Sequence, residues 1–315
     1  MKDELLKISQ QAALSTAGRV LIELEPNYRY HNLLAQLVSV TSLIFPVGYV
    51  ADMTLRVNGT VQRQLLPSEV DAIQALNNPP SATLGTAAAT PYSVSNTANP
   101  GPAQLAWYFT EPWNQQYDAR EAFALDLLPG DTATLEVGVI STAVAAPVVN
   151  VFADREPLSD IIAMGKRINR VDPRTGLPST GPGSRPTLVK QTRFGHVPGA
   201  ATTNITTLNR AFGQRDVIQH IRFTDPTGGQ TIDKATITVN KSEVFKRTKF
   251  QNYRDLRGEM MNPSTGFFDW VPNASGDPRH GVEVGPNDDV NVFLEFSASA
   301  TTNVAGIIQA FGPAN

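Results

Sequence analysis

The chain repeats itself, and the repeat limits its fold more than any other feature does. TLRVNGTVQRQ at 54–64 matches TITVNKSEVFK at 236–246: Thr54, Val57 and Asn58 fall on Thr236, Val239 and Asn240, and Leu55 on Ile237. Further on, LDLLPGDTATLEVGV (125–139) lies on VEVGPNDDVNVFLEF (282–296) without a gap. Pro129 meets Pro286, Asp131 meets Asp288, and Leu125, Leu135 and Val139 meet Val282, Val292 and Phe296. Each match alone is weak, because Val-Asn and Pro-Asp turns are common. Two matches in the same order point to two copies of one unit.

Strand patterns dominate both copies. RVLIELEP (19–26) largely alternates apolar and charged residues, and ADMTLRVNGTVQRQL (51–65) reads as a hairpin turning at Asn58-Gly59. A short helix, LPSEVDAIQALNN (66–78), follows the hairpin, and NYRDLRGEM (252–260) is its counterpart. About eight short strands per copy, in two facing sheets, make a jelly roll. The expected fold is therefore all-β, with two tandem eight-stranded jelly rolls, short helices and an N-terminal helical arm. Residues 1–18 form the arm, because Leu5, Ile8 and Ala12 fall at helical spacing and Gly18 closes the segment. Residues 19–153 form the first jelly roll and 188–315 the second. Between them, 154–187 reads as a Pro/Gly-rich basic linker, interrupted by a helical turn at 158–168. Two unrelated β-sandwiches are the alternative.

Composition narrows the chemistry. With no Cys in 315 residues, disulfides, thiolate catalysis and Cys-ligated metals are excluded. The four His, at 31, 196, 220 and 280, form no HxH, HxxxH or HExxH pattern. A net charge of −3 offers no basic field for sequence-specific nucleic acid. Charged residues make up 17% against a usual ~25%, which fits a surface hidden against neighbours. No run is apolar enough to span a membrane and no signal-peptide pattern is seen, so synthesis in a cytoplasm is expected.

No GxSxG, P-loop or GxGxxG pattern occurs, and no catalytic or cofactor-binding residue is assigned. Glu111 and Asp126 lie near Trp107, Tyr108 and Trp113 in sequence, as a glycoside-cleaving pair would, although filling a core explains the aromatics more simply. Asp288, Asp289 and Glu283 are candidate Ca²⁺ ligands that lack DxDxDG spacing. Residues 154–193 carry eight Lys/Arg against four Asp/Glu. Lys166, Arg167 and Arg170, with Lys2 and Lys7 of the arm, are the candidates to face an anionic membrane or a particle interior.

In combination, three features resemble a known family. They are the run TLRVNGTVQRQLLPSEVDAIQAL (54–76), the block from YFTEPW (108–113) through AFALDLLPGDTATLEVGV (122–139) to APVVNVFA (146–153), and the second-half copy of that plan. The family is the double jelly-roll major capsid proteins of tailless icosahedral phages with an internal membrane, of the corticovirus and tectivirus kind. The resemblance covers about 19–312 and is one of pattern and order. The long loop 79–104 and the segment 154–187 depart from it. It implies a virion protein whose homotrimers have a pseudo-hexagonal outline and tile a shell around a membrane and genome. Its partners would be neighbouring capsomers, penton and minor capsid proteins, and the internal membrane. The rival readings are a tandem β-sandwich adhesin, spike or carbohydrate-binding module, and a glycan-active enzyme.

Overall fold

The computed structural model describes residues 6–11, 18–39, 50–77, 103–110, 121–139, 147–172, 174–196, 203–208, 212, 215–225, 231–272, 281–297 and 304–314. The chain divides into two compact units. The first comprises Met1–Asn78, Thr83–Val189 and Pro313–Asn315; the second comprises Pro79–Ala82 and Lys190–Gly312.

The first unit contains β1 (Leu6–Gln11), β2 (Gly18–Leu24), β3 (Tyr28–Ser39), β4 (Val50–Val57), β5 (Thr60–Leu65), α1 (Pro67–Leu76), β6 (Ala103–Tyr108), β7 (Leu125–Leu127), β8 (Ala133–Val139), β9 (Pro147–Pro157), α2 (Leu158–Ala163) and β10 (Arg170–Val171). One sheet runs β1-β9-β3-β6, with β7 on the same edge of β3 as β6; the other runs β2-β8-β4-β5. Every pairing in which a register is resolved is antiparallel. Strand β2 shows why the pattern folds this way. Val20, Ile22 and Leu24 are buried while Arg19, Leu21 and Glu23 are exposed, the period of two that a half-buried strand requires.

Strand β11 (Arg185–His196) gives its first residues, to Val189, to the first unit and its remainder to the second. The second unit continues with β12 (Thr203–Thr207), β13 (Asp216–Thr224), β14 (Ile232–Val239), β15 (Ser242–Thr248), α3 (Lys249–Gly258), β16 (Phe267–Trp270), β17 (Val282–Val284), β18 (Val290–Phe296) and β19 (Val304–Pro313). Its sheets run β11-β19-β13-β16, with β17 also on β13, and β12-β18-β14-β15. The inward side chains of both sheets, among them Ile221, Phe223, Ile237, Trp270, Val292 and Ile308, make one core.

The two sheet orders correspond, β1 to β6 and β8 to β9 matching β11 to β16 and β18 to β19, and the registers around the hairpins are the same. Leu55 faces Leu135 and Val57 faces Ala133; Ile237 faces Val292 and Val239 faces Val290. Even the irregularities repeat. Bulges at Val50/Asp52, Leu55/Arg56 and Tyr30/Asn32 recur at Ile232/Lys234, Ile237/Thr238 and Ile218/His220. A bulge re-aims a strand and is kept as a built feature, so three shared bulges mark one backbone plan used twice.

Two expectations are corrected. The N-terminal helical arm is not what forms: Leu6–Gln11 are β1, antiparallel to β9, with Leu6 opposite Ala153 and Gln11 opposite Val149. Ile8 fits a strand period with Leu6 as well as a helical one with Leu5 and Ala12, and the edge of β9 decides between them. Residues 1–5 and 12–17 lie outside the described residues. Nor is 154–187 a free linker. Strand β9 continues to Pro157, α2 buries Leu158 and Ile161, and the first unit reaches Val189. The loop expected at 79–104 lies outside the described residues, apart from Ala103 and Gln104, which begin β6.

Candidate functional site

The repeated motifs meet in one junction, built once in each unit. Asn58 and Gly59 turn the β4–β5 hairpin with φ of 50° and 80°; Asn240 and Lys241 turn β14–β15 with φ of 50° and 67°. Positive φ at both central positions is what a twisted two-residue hairpin demands, and Asn tolerates it. Asn58 Nδ2 donates to Asp131 Oδ1 at 3.2 Å, and Thr132 N donates to Asn58 Oδ1 at 3.0 Å. Asn240 Nδ2 donates to Asp288 Oδ1 at 2.9 Å, and Asp289 N to Asn240 Oδ1 at 3.0 Å. In each unit the same aspartate also closes its own turn, accepting from Leu128 N at 2.8 Å or from Gly285 N at 2.6 Å. These hydrogen bonds, from Asn240 first and Gly285 second, hold the Asp288 carboxyl below its usual range.

Each unit also carries buried ionic clusters. In the first, Arg29 Nε and Nη2 grip Asp126 at 2.7 and 2.8 Å, and Nη1 reaches Glu121 at 3.1 Å. Arg170 Nη1 donates to Asp131 at 2.6 Å, and its other nitrogens donate to Ser184. Arg63, fully buried and with no carboxylate partner among the described residues, donates to Val189 O at 2.8 Å and Tyr108 O at 2.7 Å and lies over Phe109 at 4.7 Å. Burial pulls it down to about 9, still cationic at neutral pH. In the second unit Asp269 accepts from Arg222 Nε at 2.5 Å and Nη2 at 3.0 Å and sits 2.8 Å from His220 Nε2. Burial opposes the Asp269 charge, but Arg222 and the His220 hydrogen bond overcome it and hold the carboxyl below its ordinary value. Burial pushes His220 down, against the pull of Asp269, so the ring stays neutral.

The residues expected to carry chemistry are placed differently. Asp126 is consumed by Arg29, and Trp107 is buried in the first unit; Glu111 and Trp113 lie outside the described residues. Glu283 is exposed on β17 while Asp288 serves the turn, and among the described residues no three His, Asp or Glu converge as a metal site would need. Asp288 is thus engaged in closing its turn and holding Asn240. Arg170 is corrected as well: it is 3% exposed and faces Asp131, not a membrane. Lys166 is half-buried between Glu121 and Glu156, and Arg167 is exposed. Lys2 lies outside the described residues and Lys7 is on β1. His31 approaches Glu156 at 3.8 Å; His196 ends β11, and His280 lies outside the described residues. Among the described residues no helix is long and apolar enough to cross a membrane. Sequence reading missed the buried arginines, for an Arg in a strand gives no sign of which face it takes.

Two features stay open to solvent. Strand β15 pairs with β14 on one edge and is exposed along nearly its whole length. Beside it, Lys234, Lys246, Arg247, Thr248, Gln251 and Arg254 line a cleft of about 350 Å³.

Two eight-strand-position β units with one order and one register define a double jelly roll. No protein-family model matches the chain, and no curated protein is significantly similar in sequence. Solved structures are similar in fold. The major capsid protein P2 of bacteriophage PM2 aligns with a TM-score of 0.65 at 12% identity, over 97% of this chain and 98% of that one. The PBCV-1 virus capsid aligns with a TM-score of 0.61 at 10% identity, over 98% and 92%. The STIV major capsid protein aligns at 0.59 and 12% identity, over 98% and 96%.

Proposed function

We propose that this chain is the major capsid protein of an icosahedral virus, a structural protein that works by self-association. The observation that carries the reading is the duplication held to the level of bulges and turn hydrogen bonds. Three chains with two like units each present six like units around a threefold axis. Such an object imitates a hexagon and tiles a facet through heterologous contacts. The fold of the PM2, PBCV-1 and STIV proteins supports the same role. Among the described residues, buried Asp126, Asp216 and Asp269 are held by Arg29, by Lys190, and by Arg222 with His220, which supports a structural role for them. In the finer reading, the homotrimers enclose a membrane and genome and meet penton and minor capsid proteins. The chain is made and assembled in the host cytoplasm.

The test is assembly state. Sedimentation equilibrium is expected to give three times the 34.0 kDa chain mass, and negative-stain images flat, hexagon-like outlines. A chain that stays monomeric at micromolar concentration overturns the proposal.

A further inference from the structure

We infer that the outer edge of β15 is the docking site for the residues that run into β1 of a second copy of this chain. The inference rests on the capsomer reading and names the contact that would close its ring.

The first unit shows how this edge is finished. Strand β5 is the counterpart of β15: each is the second arm of the Asn-turned hairpin and precedes the helix, and each bulges at the same place, Gln62 and Val244. Beside β5 runs β11, whose residues Arg185–Val189 belong to the same unit, and Arg63 Nε donates to Val189 O at 2.8 Å. In β5 the side chains of Gln62, Arg63 and Leu65 are buried. In β15 their counterparts are open: Val244 is 40% exposed, Phe245 only half-buried, and Arg247 exposed. Phe250, just beyond β15 in α3, is 81% exposed. Among the described residues, the same edge is thus covered in one unit and bare in the other.

The duplication also names the occupant. Strands β1 and β11 are counterparts, each lying beside a corresponding strand of its unit, β9 or β19. Strand β11 runs beside β5 with its first residues, to Val189, in the same unit, so the stretch just ahead of β1, Met1–Leu5, is the matching piece for β15. Within one chain that piece stands before the first unit. A ring of copies lets each chain's leading residues reach the next chain's second unit, a heterologous contact that closes. Net charge agrees: at the cleft Lys234, Lys246, Arg247 and Arg254 outnumber their partners Glu243, Asp255 and Glu295, and in the incoming piece Asp3 and Glu4 outnumber Lys2. An added strand satisfies the backbone groups of a bare edge and removes a template for uncontrolled pairing.

Because the chain has no Cys, disulfide trapping reports the contact without background. Asp3→Cys is combined in one chain with Val244→Cys and, separately, with Lys246→Cys, which covers both faces of the added strand. Cross-strand neighbours lie within disulfide reach. Mild oxidation of the assembled protein is expected to give covalent dimers and trimers in at least one of the two variants. Asp3→Cys with Ser159→Cys, exposed on α2, should stay at monomer mass on denaturing gels. Removal of residues 2–4 should weaken trimer association at least tenfold with unchanged near-UV circular dichroism. If trimers form normally, neither variant cross-links and the truncation has no effect, this contact is wrong and the capsomer reading stands. If the chain never leaves the monomer, both fall.

Discussion

At the scale of single residues, the paired asparagines show how a short signal becomes a joint. Each of Asn58 and Asn240 accepts a left-handed φ and spends its amide on the neighbouring turn. Asn58→Ala keeps neither property and is expected to lower stability by about 1–3 kcal/mol in urea denaturation; Asn58→Gly, which keeps the φ, should lose less. Lys241 holds φ of 67° where its counterpart is Gly59. Lys241→Gly should therefore stabilise the second unit, by up to about 1 kcal/mol. The Asp269 cluster makes a separate prediction. Arg222→Met leaves a buried carboxylate unbalanced and should cost about 3–5 kcal/mol. The cluster also sets an acid dependence. Below pH 6.5, the ordinary His value, the unfolded chain takes a proton that folded His220 resists. Below 3.8, the ordinary Asp value, it takes another that folded Asp269 resists. Stability should thus be fullest above pH 6.5 and fall toward acid. His220→Gln should flatten the first part of that fall, and an unchanged profile would remove His220 as its source.

At the scale of elements, the closest packing lies where glycine lets a strand pass a large side chain. A Cβ on Gly306 of β19 would stand 2.0 Å from the Phe194 ring, which packs edge-on against Phe223 at 5.7 Å. Gly306→Ala should cost about 1–3 kcal/mol through that displaced ring, measurable as a lower urea midpoint. Deleting residues 1–11 should do more than impair assembly, because it strips β1 from β9 and leaves a bare edge; aggregation of the truncated chain is the expected readout. That outcome marks the limit of what the sequence makes legible. The hairpins, both post-hairpin helices and the final strand of each unit could be read because local turn chemistry and periodicity agree there. Strand β1 could not, since Ile8 fits a strand period with Leu6 and a helical one with Leu5 and Ala12. The segment 154–187 misled for another reason. Its Pro and Gly shape turns, but what pins it is long-range: Arg170 on Asp131 and Asn169 on Asp126 and Glu121. Pairings between residues so far apart in the chain leave no trace in composition.

At the scale of the whole molecule, the second unit is nested in the sequence of the first. The chain leaves the first unit after Val189 and returns at Pro313, where Ala314 N donates to Pro186 O at 2.8 Å. Among the described residues, the second core draws on residues of the second unit, so its stability is set locally. Counterpart substitutions can separate the two. Leu135 of β8 and Val292 of β18 occupy the same place in the plan and are both fully buried. Leu135→Ala should cost about 2.7 kcal/mol or more, a hundredfold in opening equilibrium. Under conditions where exchange follows unit-by-unit opening, hydrogen exchange should accelerate by that factor in β2, β4 and β8 and stay unchanged in β14 and β18. Val292→Ala should do the reverse, to a smaller extent because fewer methyl groups are lost. If either substitution instead accelerates exchange evenly across β8 and β18, the units open as one body, and the duplication is then a matter of shape without independence of folding.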